Sequence, residues 1–195
     1  MKKILFILMA LMPMMTNAQN IKRGYHGFAD LGYTKCLSQL DPSVIEITTS
    51  HGYQFNPYIF LGAGVGFDFT GSCKSGEVSG HAFQKRDSKV DIPFFFNAKA
   101  NFTKTKLSPF ADVKVGSYIN NDCNIYANIA LGCRYAMSNN MGISFSVGYK
   151  YRKATVELLG MTTGTKYNNY KSSFYYSDEK GYVLDGISFK VGFDF

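Results

Sequence analysis

The residues able to do chemistry in this chain are few and scattered. The histidines are His26, His51 and His81. A catalytic base needs a nucleophile within hydrogen-bond reach and an acid to orient it. No His here is followed two residues later by Ser, and no acid–nucleophile spacing surrounds His81. The cysteines, Cys36, Cys73, Cys123 and Cys133, include no Cys-x-x-Cys pair, so zinc and redox-motif readings are weak. Gly62-x-Gly64-x-Gly66 lacks the helix that a dinucleotide fingerprint requires. The acids alternate with bases along the chain, which favours mutual pairing over a two-carboxylate site. No catalytic, cofactor or metal residues are assigned, and no cofactor is expected.

The elements that carry these residues are strands. Period-2 alternation dominates from Tyr25 onward, a pattern that a helix of 3.6 residues per turn would scramble. Ile45, Ile47, Thr49, Tyr53 and Phe55 oppose Glu46, Thr48, Ser50 and Gln54. Ile59, Leu61, Ala63, Val65, Phe67 and Phe69 oppose Gly62, Gly64, Gly66 and Asp68. Similar runs begin at Gly27, Ile92, Ala111, Ile125, Ile143 and Ile187, for eight strands in all. Tight turns at Asn56-Pro57, Thr103 to Lys106 and Ser138 to Asn140 alternate with longer polar segments at Thr34 to Ser43, Thr70 to Lys89, Ser117 to Asp122 and Lys153 to Asp185. The fold class is therefore all-β, an eight-stranded antiparallel up-and-down barrel with one plain end and one loop-bearing end. If the sixth strand is continuous, Cys123 and Cys133 lie up to ~33 Å apart and cannot pair. One disulfide among the three loop cysteines is then allowed; Cys36–Cys73 is the favoured pair, and all thiols free stands as an equal alternative.

Composition narrows the setting. The 195 residues suit one domain; 14 Tyr and 17 Phe exclude a disordered chain, while charged residues are only 18% and glycines number 19. No apolar run approaches the ~20 residues of a spanning helix. Lys2 and Lys3, an apolar run from Ile4 to Met12, Pro13 and then Thr16-Asn17-Ala18 follow the order of a secretory signal peptide. Cleavage is placed after Ala18, giving domains of 1–18 (signal peptide) and 19–195 (barrel). The remainder holds 19 basic and 14 acidic residues spread evenly, which excludes a nucleic-acid partner.

Alternation does not say which face is inside, since a soluble lipid-binding barrel alternates equally well. The polar faces hold five acids, Asp30, Glu46, Asp68, Asp112 and Asp194, against five bases, Lys99, Lys114, Arg134, Lys150 and Lys190. A closed lumen needs such balance, because an unpaired charge there is expensive. The same faces are rich in glycine, which a narrow lumen needs. Tyr33, Phe69, Tyr149 and Tyr151 mark one end of the apolar faces and Phe55, Phe102, Tyr135 and Phe195 the other, as two aromatic girdles would. The expectation is a transmembrane barrel, its lumen plugged by those ten charges and no general diffusion pore.

Gly192-Phe193-Asp194-Phe195 resembles the last-strand signal of bacterial outer-membrane proteins, with Phe193 and Phe195 as the assembly signal. Gly27-Phe28-Ala29-Asp30-Leu31-Gly32-Tyr33 and 50–58 (Ser-His-Gly-Tyr-Gln-Phe-Asn-Pro-Tyr) are similar to small outer-membrane β-barrel proteins of the Bacteroidetes type, broadly OmpX-like. The resemblance implies a monomer in the outer membrane, loops outside the cell and termini in the periplasm, with membrane lipids and the barrel-assembly machinery as partners. It implies little about activity. The longest loop, with Tyr167, Tyr170, Tyr175, Tyr176 and Tyr182, could contact an extracellular protein or glycan, although a hairpin continuing the last two strands is the favoured reading. The expected function is structural or surface-interacting and not enzymatic. A lipid A-modifying enzyme, as some eight-stranded barrels are, and a soluble periplasmic lipid-binding barrel are the alternatives.

Overall fold

The computed structural model describes residues 23–37, 43–72, 76–78, 81–83, 88–119, 125–138, 141–163 and 173–195, with side chains described outside 76–78, 81–83, 153–163 and 173–184. The strands are β1 (Gly24–Cys36), β2 (Val44–Gln54), β3 (Ile59–Thr70), β4 (Gly76–Val78), β5 (His81–Phe83), β6 (Lys89–Asp91), β7 (Pro93–Asn101), β8 (Leu107–Tyr118), β9 (Ile125–Ala136), β10 (Gly142–Thr163) and β11 (Ser173–Asp194). Pairs Asp68↔Asp91 and Val65↔Phe94 share one register, so β6 and β7 form a single stave against β3. The break falls at Ile92, before Pro93, whose ring leaves no N–H for the ladder. Eight antiparallel staves result. Each pairs with its sequence neighbour, and β11 pairs with β1 from Phe28↔Asp194 to Cys36↔Gly186, closing the barrel. β4 and β5 pair as a separate two-stranded sheet.

Register decides the wall, because a slip of one residue would exchange inside for outside. In β2, Val44, Glu46, Thr48, Ser50 and Gln54 are buried, while Ile45, Ile47 and Tyr53 are exposed. All eight staves follow the same rule. The apolar set faces outward and the polar set fills the interior.

The turns at one end are short and locally bonded. The Asn56 side-chain oxygen accepts from the Tyr58 and Ile59 amides at 2.8 and 2.9 Å, which holds the chain reversal into β3. Met137 N–H donates to the Met141 carbonyl at 3.0 Å in the β9–β10 turn.

One expectation is met and two are corrected here. The hairpin favoured for Lys153 to Asp185 is present: β10 and β11 pair as far as Thr163↔Ser173, well beyond the Lys153↔Ile125 limit of pairing with β9. Tyr175, Tyr176 and Tyr182 thus belong to β11 by backbone, whereas Tyr167 and Tyr170 lie outside the described residues. The fourth stave begins at Lys89, ahead of the run read from Ile92, and β8 runs on to Tyr118, into the connection read as Ser117 to Asp122. Finally, outward Phe is not confined to girdles: Phe96 and Phe145 are exposed near mid-wall. Outward Tyr does stay near the rims. There a hydroxyl meets polar partners, as Tyr33 does with Ser43 (2.8 Å) and Tyr149 with Asp185 (2.6 Å).

Candidate functional site

Each inward polar side chain projects from a strand into a space only wide enough for side chains, so charges from opposite walls meet. Lys114 from β8 donates to Asp30 of β1 at 2.6 Å and to the Thr48 hydroxyl at 3.3 Å. Asp112 lies 3.9 Å from the same ammonium and accepts from the Asn97 amide at 2.7 Å. Toward the loop end, Lys150 bridges Asp68 (2.6 Å) and Glu46 (3.1 Å), and Lys190 reaches Glu46 at 3.1 Å. Thr34 donates to Glu46, and the Tyr118 hydroxyl donates to Asp68 at 2.8 Å. Toward the turn end, Arg134 clamps Asp194 through Nε (2.8 Å) and Nη2 (2.5 Å), with His26 at 3.4 Å.

All ten charges named from the sequence therefore occupy the lumen, and nine are joined in three ion-pair groups. Lys99 is the exception among the described residues. Its ammonium sits between the Phe28 and Phe110 rings, 4.1 Å from each centroid. There the ring faces supply the negative potential that a carboxylate supplies elsewhere.

Sequence reasoning missed two charges. Arg152 and Asp91 approach within 3.6 Å at the loop end, where Arg152 also donates to Thr70 at 3.2 Å. Among the described residues the lumen thus holds six acids and six bases. Arg152 was findable by carrying the inward parity one step past Lys150; Asp91 was hidden behind Pro93. Also missed were the inward aromatics, Phe60, Phe95 and Tyr126, which are fully buried. Phe28 and Phe60 meet edge to face near the turn end, while Phe95, Tyr118 and Tyr126 cluster higher.

The inward glycines make room for these rings as much as for charge. A Cβ at Gly64 would lie 2.6 Å from the Phe95 ring, and at Gly62 or Gly132 it would lie 2.7 Å from Phe60 or Phe110. At Gly192 it would strike the Asp30 carboxylate and the Ser144 hydroxyl. Charged groups and aromatic groups thus share the described part of the lumen.

Chemically this interior neutralises itself. Among the described residues no three His, Cys, Asp or Glu side chains gather as metal ligands would. His26 is buried against the Arg134–Asp194 pair, with no described hydroxyl or thiol among its hydrogen-bond partners.

The outer wall has one polar group of its own. Between the rims its positions are apolar apart from Thr49, His51 and Cys133. Tyr25 and His51 bond at 2.6 Å (Oη to Nδ1), and His51 Nε2 lies 3.0 Å from the Thr49 hydroxyl. Cys73 and Cys123 lie outside the described residues, and with them the Cys36–Cys73 pairing, as does the segment assigned as a signal peptide.

Comparison with known proteins gives no matching family model and no matching curated protein. Among solved structures the chain is similar to the N-terminal β-barrel domain of Pseudomonas aeruginosa OprF, at 15% identity and TM-score 0.43, over 89% of this chain and 100% of that one. It is also similar to Neisserial surface protein A, at 16% identity and TM-score 0.46, over 88% and 96% of the two chains. A de novo designed transmembrane β-barrel aligns at 11% identity and TM-score 0.41, over 93% and 100%.

Proposed function

We propose that this chain is an outer-membrane β-barrel protein with a closed lumen, acting as a structural element of the membrane and as a contact surface through its loop end. The observation that carries this reading is the inversion of the wall. Leu31, Ile47, Phe96, Ile129, Phe145 and Val191 face outward and exposed, while twelve charged side chains are enclosed and largely matched. In water, so large an apolar exterior would drive association; against lipid it is the stable arrangement. Most staves are 11 to 13 residues long or continue further, enough to cross a hydrocarbon layer when tilted. The plain and loop-bearing ends support short turns in the periplasm and the β10–β11 hairpin outside the cell. The same reading, with no hydroxyl or thiol bonded to His26 among the described residues, leads us to propose no enzymatic role.

Fractionation tests it. The protein should sediment with outer membranes, need detergent for release and change gel mobility on heating, whereas recovery from the soluble periplasm would overturn the reading. For the contact role, binding of intact cells to a glycan array should fall when residues 154–184 are shortened. Unchanged binding would leave the structural role alone.

A further inference from the structure

The lumen matches its charges, but the turn-end rim does not. The chain at that end runs through 23–28, 54–59, 101–107, 136–142 and 193–195, and its one acidic side chain, Asp194, is buried against Arg134. The outward charges there are all basic: Lys104 is exposed, Lys106 is half-buried, and Arg23 is exposed at the start of the barrel. Among the described residues no carboxylate pairs with Lys104 or Lys106. The chain-terminal carboxylate, on Phe195 just past β11, is three strand spacings from β8, roughly 14 Å.

Lys104 and Lys106 sit on a turn that is bonded throughout. The Thr105 hydroxyl donates to the Leu107 carbonyl at 2.6 Å, the Ser108 hydroxyl to the Thr103 carbonyl at 2.7 Å and the Phe102 amide to the Pro109 carbonyl at 2.8 Å. From this turn the two lysines lean to opposite sides. The Lys104 ammonium lies 5.1 Å from the ring centroid of Tyr58 in the β2–β3 turn, and that of Lys106 lies 5.4 Å from the ring centroid of Tyr135 on β9. Both rings are exposed on the outer wall. A tyrosine at a rim sets its ring at headgroup level, and a lysine stem lying along it carries the ammonium toward water. A ring face attracts the ammonium but leaves its charge in place and its three donors open to an oxyanion. The two lysine–tyrosine stacks thus hold two unneutralised cations at fixed places where headgroups meet acyl chains.

We propose that the β7–β8 turn, through Lys104 stacked on Tyr58 and Lys106 stacked on Tyr135, is a docking site for anionic phospholipid in the leaflet that meets the short turns. The ammonium groups donate to the lipid phosphate, while the acyl chains follow the apolar wall beside Tyr58 and Tyr135. Charge complementarity selects the occupant: an anionic lipid supplies the negative charge this rim lacks, whereas a zwitterionic one brings its own cation. The proposal rests on the membrane reading above.

The test titrates the full protein, purified in dodecyl maltoside, with dioleoyl phosphatidylglycerol and follows retained lipid by native mass spectrometry. Retention should exceed that of zwitterionic dioleoyl phosphatidylcholine severalfold and fall as ammonium acetate is raised. Lys104→Gln and Lys106→Gln should each weaken it about fivefold, and the double variant about twentyfold. Lys35→Gln, at an exposed position of the opposite rim, should leave it unchanged. Heat-modifiable gel mobility reports that each variant is folded. Equal retention of the two lipids, an equal loss in Lys35→Gln, or no loss in the double variant would overturn the site. Inorganic phosphate displacing the lipid at equal concentration would make it a free-anion site and overturn it as a lipid site. A protein that stays soluble without detergent would instead defeat the membrane reading, so the two failures are distinct.

Discussion

Gly27 and Phe195 are joined twice through the backbone, Gly27 N–H to the Phe195 carbonyl at 2.8 Å and Phe195 N–H to the Gly27 carbonyl at 3.0 Å. The Phe195 ring occupies the space a Gly27 side chain would take, 2.7 Å from an ideal Cβ. This pair extends the β1–β11 seam to the last residue. We expect Phe195→Ala to reduce the folded protein in outer membranes severalfold while leaving refolding of the purified chain in detergent nearly unchanged. Equal losses in both would mean that Phe195 serves barrel stability and not recognition during assembly.

Two glycines separate movable obstacles from fixed ones. At Gly27 the obstacle is the far edge of a ring that can swing aside, so Gly27→Ala should be tolerated. At Gly116 a Cβ would strike the Phe94 carbonyl of the neighbouring stave, and backbone cannot give way cheaply. Gly116→Ala should lower stability by several kcal/mol, within the range of severe single substitutions. Urea unfolding in detergent compares the two.

The lysines of the lumen should differ sharply. Removing Lys150 leaves Asp68 and Glu46 as buried neighbours deprived of the charge between them, so Lys150→Met should cost about 3–5 kcal/mol. Adding Asp68→Asn should recover part of that loss. Lys99→Met should cost no more than about 1 kcal/mol, because its main partners are two ring faces. The same unfolding measurement ranks the three variants.

We expect the charged and aromatic side chains described in the lumen to block general diffusion. Planar bilayers containing the purified protein should show no large, stable conductance, and its appearance would contradict the packed interior.

Cys133 is exposed on the outer wall beside Phe145 and Pro109 in the ladders. With Cys36, Cys73 and Cys123 replaced by Ser, Cys133 should react with an apolar maleimide in membranes but not with a charged methanethiosulfonate. Efficient labelling by the charged reagent would place this wall in water.

Much of this was legible from parity alone. In β2 the alternation from Ile45 to Gln54 fixed both the strand and its two faces, because period 2 admits no other regular structure. Parity also placed the ten lumenal charges on inward positions. It failed where local chemistry masked it, as Pro93 concealed the strand before it, whereas the hairpin favoured after Lys153 is met by the β10–β11 ladder. Phe60, Phe95 and Tyr126 went unread for a different reason. Apolar residues at inward positions look like noise in the pattern until the glycines opposite them are seen as slots. The Tyr25–His51–Thr49 group was invisible because contacts across two strands depend on register, which the sequence carries only indirectly.

The lumenal pairs also have a consequence in time. Lys114 and Asp30 are 84 residues apart in the chain, Lys150 and Asp68 are 82, Arg134 and Asp194 are 60, and His26 and Asp194 are 168. None of these four pairs can form within a single growing hairpin of neighbouring strands, and the Asp194 contacts wait for β11. A chain cut short, or stalled before its last strand docks, is left with ions it can place neither in lipid nor against a partner. We expect such intermediates to stay in water and commitment to the bilayer to come late, since contacts this far apart in the chain form slowly.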